Sequence, residues 1–99
     1  MITELFASGG LVPQGPMRWT RYTPNPGARV YVIVREGEPA YIGQDPHAGA
    51  KRLKDAYGQQ SGALWVYWAS TNNPSRHETE MLRWFSRNSN HLPSGNVGA

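Results

Sequence analysis

Residues 30–35 read VYVIVR, a run of β-branched and aromatic residues that favours an extended strand. The sequence PNPG precedes this run, and EGEP follows it and supplies a turn. AYIG, residues 40–43, then resumes the strand pattern. Two short strands joined by a tight turn predict an antiparallel hairpin, and a sheet is therefore expected at the centre of the fold.

Two helices and one more strand are predicted beyond the hairpin. The first helix covers about 46–57, because Asp45 is a good N-terminal cap and Gly58 a good C-terminal cap. ALWVYWA, residues 63–69, is apolar on both faces and predicts a central strand. A second helix follows over about 74–87. The order predicts an α+β fold with a small three-stranded, mainly antiparallel sheet flanked by helices.

The 99 residues fit one compact domain. Residues 1–26 hold four of the eight prolines and are expected to form an irregular arm on the domain, after one short helical turn at 3–8. Residues 27–99 are expected to form the domain itself. The sequence has no run of about 20 apolar residues and no signal-like N-terminus. We therefore expect no contact with a membrane and a cytoplasmic location.

Ten Lys and Arg against seven Asp and Glu give a net charge of +3, which permits a phosphate-bearing partner without requiring one. RWTRY, residues 18–22, alternates basic and aromatic residues. Such a segment could bind nucleic acid, or it could hold the arm on the core through Trp19 and Tyr22. On charge alone, an ordinary solvated surface is the favoured interpretation of the basic clusters.

Five residues in a characteristic order carry a resemblance to a known family. In the order of the chain they are Tyr31 in the first strand, Tyr41 of a Tyr-Ile-Gly motif ten residues later, Arg52 in the first predicted helix, Glu78 in the second, and Asn90 twelve residues after Glu78. In order, spacing and type of element, residues 27–96 resemble the GIY-YIG nuclease family, which includes repair, restriction and homing endonucleases.

The resemblance implies an endonuclease that hydrolyses DNA phosphodiester bonds with Mg²⁺ or Mn²⁺. Glu78 would hold the metal ion, one of the two tyrosines would deprotonate the attacking water, and Arg52 would neutralise charge on the phosphate. Asn90 would complete the site, although a cap for the preceding helix is an equal alternative. The candidate contacts to the DNA backbone are Arg18, Arg21, Arg29, Lys51 and Lys54.

The sequence departs from the family pattern in several places. Arg29 stands where the first motif has glycine, which implies either altered packing in the hairpin or an additional phosphate contact. The loop before Arg52 is one residue longer than in the family, so Lys51 competes for the arginine position. Glu80 lies on a different side of the helix from Glu78 and cannot do the same work. Residues that compete with Asn90 are Asn88 and Asn96.

A domain of this size has little surface left for reading base edges, so low sequence specificity is expected. The chain would then act as a homodimer, with a partner protein, or on structured DNA.

Two rival functions also fit the sequence. One is a catalytically inactive nucleic-acid-binding module of the same fold, which the arginine in the first motif would indicate. The other is a small phage-type protein-interaction or inhibitor protein that uses its tryptophans to bind another protein.

Overall fold

The computed structural model of the chain describes residues 1–18, 29–45 and 64–96, which form an α+β domain. The elements in chain order are helix α1 (Ile2–Ala7), strand β1 (Gln14–Met17), strand β2 (Arg29–Arg35), strand β3 (Glu38–Asp45), strand β4 (Leu64–Ser70), helix α2 (Pro74–Ser89) and a 3₁₀ turn (Ser94–Asn96). The helix predicted at 46–57 lies outside the described residues. Within the described ranges, no helix has the length and apolar character needed to cross a membrane.

The strands form one antiparallel sheet in the order β1-β4-β2-β3. The prediction that 63–69 forms a central strand is confirmed, because β4 lies between β1 and β2. The prediction of three strands was wrong by one, since β1 lies in the arm that was expected to be irregular. Its sequence, QGPM, contains two residue types that strands disfavour, and Pro16 is tolerated because β1 is an edge strand.

The predicted hairpin of β2 and β3 is confirmed, with Arg35 and Glu38 as the last paired residues before the turn. The turn consists of Glu36 and Gly37, whose φ angles are 53° and 79°. Positive φ at both central positions is typical of the two-residue turn that best matches the twist of a hairpin. Glycine adopts this conformation at little cost, whereas Glu36 adopts it with some strain.

Side chains alternate along each strand and divide the sheet into two faces. The helix face contacts both helices, and its buried cluster consists of Val30, Val32, Val34, Ile42 and Ala69 with Leu5, Phe6, Met81 and Phe85. The opposite face, here called the tyrosine face, contains Tyr31, Ile33, Leu64 and Val66, with Met17, Tyr41 and Trp68 packed against them. The two tyrosines of the motifs therefore lie on the face of the sheet opposite to α2.

Candidate functional site

The hairpin brings the two motif tyrosines together. Tyr31 on β2 is the cross-strand partner of Gly43 on β3, and Tyr41 lies two residues before Gly43 on the same face. The ring centroids of Tyr31 and Tyr41 are 6.1 Å apart, and the ring planes are inclined by only 24°. This separation lies within the range in which aromatic rings attract each other. The sequence motifs are thus joined into one cluster of side chains.

Gly43 leaves the space that both rings occupy. A Cβ atom built on Gly43 would lie 2.6 Å from Cε1 of Tyr41 and 2.7 Å from both Cζ and the hydroxyl oxygen of Tyr31. Such distances are far shorter than van der Waals contact. The requirement for glycine in the Tyr-Ile-Gly motif is therefore spatial. An aromatic ring over a glycine on an edge strand also stabilises sheets, so this packing has a structural role whatever else it does.

The two tyrosines differ in exposure. Tyr31 is completely buried, and its hydroxyl is shielded from solvent. Tyr41 is only half-buried. Of the pair, Tyr41 is therefore the residue that water or a substrate could reach without rearrangement of the fold.

Arg29, at the position of the first motif's glycine, is buried on the tyrosine face. Its cross-strand partner is Asp45, and their exposed fractions are 1% and 3%. Burial lowers the pKa of the Arg29 guanidinium from its ordinary value, and the negative charge of Asp45 opposes this effect. Of the two expectations for Arg29, the structure therefore favours altered packing over a phosphate contact at the surface. Oδ2 of Asp45 is buried and accepts no hydrogen bond from the described residues.

Glu78 lies in the second turn of α2 and is half-buried. It precedes Met81, Leu82 and Phe85 by three, four and seven residues, so it belongs to the side of the helix that faces the sheet. The first turn of α2 follows the end of β4 at Ser70, whose partner on β2 is Arg29. Glu78 therefore lies on the helix face of the sheet, opposite to the tyrosines.

Glu80, the other acidic residue of α2, lies on a different side of the helix. Its Oε1 atom accepts a hydrogen bond from Nε of Arg76 at 3.2 Å, and the two side chains form an ion pair. The structure thus separates the two glutamates, as the helical spacing predicts. Glu78 remains the carboxylate that faces the sheet.

Asn90 takes the role of a helix cap in this structure. It is exposed, it adopts the left-handed conformation with φ of 61°, and its backbone N–H donates to the carbonyl of Ser86 at 2.9 Å. Asparagine is one of the few residues that adopt this conformation readily at a helix end. Asn88, one of its competitors, donates from its side chain to the carbonyl of Trp84 at 2.8 Å.

Asn96 makes the contact with the Tyr-Ile-Gly motif that Asn90 does not make. Its Oδ1 accepts from the backbone N–H of Ile42 at 2.9 Å, and its Nδ2 donates to the carbonyl of Ile42 at 2.9 Å. Because β3 is an edge strand among the described residues, this amide satisfies backbone groups that no further described strand pairs with. The separation of 54 positions between the partners explains why sequence spacing could not single out this contact.

Four of the basic residues proposed to contact DNA or phosphate lie outside the described residues: Arg21, Lys51, Arg52 and Lys54. Arg18 is described and exposed. Within residues 1–18, 29–45 and 64–96, no group of three or more His, Asp or Glu side chains could hold a metal ion. A metal ion bound at Glu78 would therefore take most of its ligands from water and substrate, which suits Mg²⁺.

No family model matches this chain, and neither the curated proteins nor the solved structures gave a match. Its function is therefore inferred from the residues themselves and from the resemblance of their motifs.

Proposed function

We propose that this chain is a metal-dependent endonuclease that hydrolyses phosphodiester bonds of DNA with little sequence specificity. The observation that carries the proposal is the stacking of Tyr31 on Tyr41 in the space left by Gly43. The two halves of the GIY-YIG resemblance, which are separate in the sequence, meet in one cluster as a shared function would require.

Tyr41 is the better candidate for the group that contacts the attacking water, because it is accessible and Tyr31 is not. A tyrosine has an ordinary pKa of about 10, so a nearby positive charge is needed to favour its deprotonated form near neutral pH. Arg29 lies on the same face as both tyrosines, but Asp45 beside it offsets its charge, so the bound metal ion would supply the positive charge. Tyr31 would act as a positioning residue that holds the ring of Tyr41.

Glu78 would bind the metal ion. Its carboxylate is a hard oxygen ligand, which Mg²⁺ and Mn²⁺ prefer, and its half-buried position leaves it accessible to an ion. When bound, the ion would supply a Lewis acid for the departing oxygen of the phosphodiester. The resemblance assigns neutralisation of the phosphate to Arg52.

A second candidate function is a nucleic-acid-binding module of this fold without catalysis. Two observations favour it: the Tyr31 hydroxyl is shielded from solvent, and α2 packs on the face opposite to the tyrosines. Binding and cleavage are therefore measured separately in the experiment that tests the proposal.

The experiment is cleavage of supercoiled plasmid in Mg²⁺ or Mn²⁺, beside a binding assay in EDTA. We expect nicking by the natural chain and a loss of about a hundredfold or more in Tyr41→Phe, because an acid–base group contributes at least that much. Glu78→Ala should lose at least as much activity, because it removes the protein's ligand to the metal ion. The matched controls are Tyr67→Phe, a half-buried tyrosine on the helix face, and Glu80→Ala. Both controls should retain activity.

Three outcomes decide between the candidates. Nicking that depends on Tyr41 and Glu78 but not on the controls supports the endonuclease. Binding of DNA without nicking supports the inactive module instead. If the chain neither binds nor cuts DNA, both candidates are wrong.

A further inference from the structure

The outer side of α2 carries a pair of arginines that the proposed catalytic cluster does not use. Arg83 and Arg87 are four residues apart, so they lie on one side of the helix and about 6 Å apart along its axis. Both are exposed, and neither takes part in an ion pair among the described residues. Arg76 lies on the same side, but Glu80 engages its charge.

Open grooves lie on both flanks of this arginine pair. One groove, of about 330 Å³, is lined by both arginines with Leu82, Ser86 and Leu92. The other, of about 200 Å³, is lined by both arginines with Ser8, Glu80 and Trp84. The two guanidinium groups therefore stand between two depressions that an extended ligand could follow.

Glu80, which lines one of these grooves, is already paired with Arg76. Glu80 is the last acidic residue of the chain, so residues 81–99 contain two Arg and one His but no Asp or Glu. A cation near the C-terminus of a helix interacts favourably with the helix dipole, which accounts for Arg87 in the last turn of α2. This interaction is confined to the last turn, so it does not account for Arg83. Two unneutralised guanidiniums one turn apart complement the phosphates of a nucleic-acid strand.

We propose that Arg83 and Arg87 form a phosphate-contacting surface for the backbone of DNA, separate from the tyrosine cluster. The arginine pair lies on the side of α2 that faces away from the sheet, whereas the tyrosines lie on the opposite face of the sheet. This surface adds binding energy without reading sequence, because phosphate contacts carry no sequence information. It does not depend on catalysis and would equally serve a binding module.

The experiment measures how the affinity for a fluorescent 20-base-pair duplex falls with salt, in EDTA. Each phosphate contact contributes about 0.9 to the slope of log affinity against log salt, so Arg83→Ala/Arg87→Ala should flatten the slope by about 1.8. Between 50 and 200 mM salt, the natural chain should then lose about tenfold more affinity than this variant does. Arg83→Lys/Arg87→Lys should keep the slope, because the charge is retained.

Arg76→Ala is the matched control, since it removes one positive charge from the same side of α2 but from an existing ion pair. It should leave the slope unchanged. The proposal is overturned if the double alanine variant keeps the slope of the natural chain, or if the duplex does not bind at 50 mM salt. It is also overturned if Arg76→Ala reduces the slope by as much as each arginine of the pair does. Failure of the endonuclease proposal is distinguishable, because it would appear as absent nicking with the salt dependence intact.

Discussion

Replacement of Gly43 by alanine tests the packing on which the tyrosine cluster depends. The added methyl group would lie 2.6–2.7 Å from atoms of both tyrosine rings. Tyr41 is half-buried and its ring can rotate outward, whereas Tyr31 is completely buried and cannot move aside. The clash with Tyr31 therefore sets most of the cost of the substitution.

Overpacking of this kind costs about 1–3 kcal/mol, and replacing glycine returns about 0.5–1 kcal/mol through the unfolded state. Gly43→Ala should therefore destabilise the chain by about 1–2 kcal/mol, or lower its Tm by about 5–15 °C for a domain of this size. Thermal and urea unfolding, followed by circular dichroism, measure both quantities. Activity should fall as well if the rings must be stacked to function.

A double-mutant cycle identifies the cause of the loss. In a Tyr31→Leu background the methyl group has room, so Gly43→Ala should cost at least about 1 kcal/mol less than in the natural chain. Tyr41→Leu, as the control background, should relieve less of the cost because that ring can already move. A Gly43→Ala variant as stable as the natural chain, or a cost that is strictly additive with Tyr31→Leu, would refute the packing described here.

Three further substitutions probe the surroundings of the cluster. Asn96→Ala removes two hydrogen bonds to the edge strand and should cost about 1–3 kcal/mol in urea unfolding, whereas alanine at the exposed Asn72 should be nearly neutral. Glu36→Gly relieves a positive φ in the hairpin turn and should raise the midpoint of thermal unfolding by a few degrees; a lower midpoint would contradict the turn geometry. Arg29→Gly restores the motif's glycine but leaves the charge of Asp45 buried alone, so it should cost up to about 3–5 kcal/mol and be rescued by Asp45→Asn; no rescue would show that their charges are not coupled.

The sequence predicted the parts of the fold that local patterns determine. The β-branched run of β2, the turn before β3 and the apolar stretch of β4 each define an element by their own residues, and these predictions are confirmed. The hairpin also predicted that Tyr31 and Tyr41 could meet, because a tight turn fixes which residues lie opposite each other.

Features that depend on distant contacts could not be predicted in the same way. QGPM gives no local sign of a strand, and β1 is extended because it pairs with β4 some fifty residues later. The contact of Asn96 with Ile42 likewise depends on the path of the chain after α2. The face of the sheet on which Glu78 lies depends on how α2 packs on the sheet. The alternation of residues within a single strand does not predict that packing.

The endonuclease proposal requires Tyr41 and Glu78 to act on the same phosphodiester bond. The measurement is the rate of plasmid nicking by Tyr41→Phe, Glu78→Ala and the double variant, all under one set of conditions with Mn²⁺. Side chains that serve one chemical step give strongly non-additive losses, so the double variant should be little slower than the slower single variant. Nicking by Glu78→Ala at the rate of the natural chain would contradict the account, and so would losses that simply multiply in the double variant.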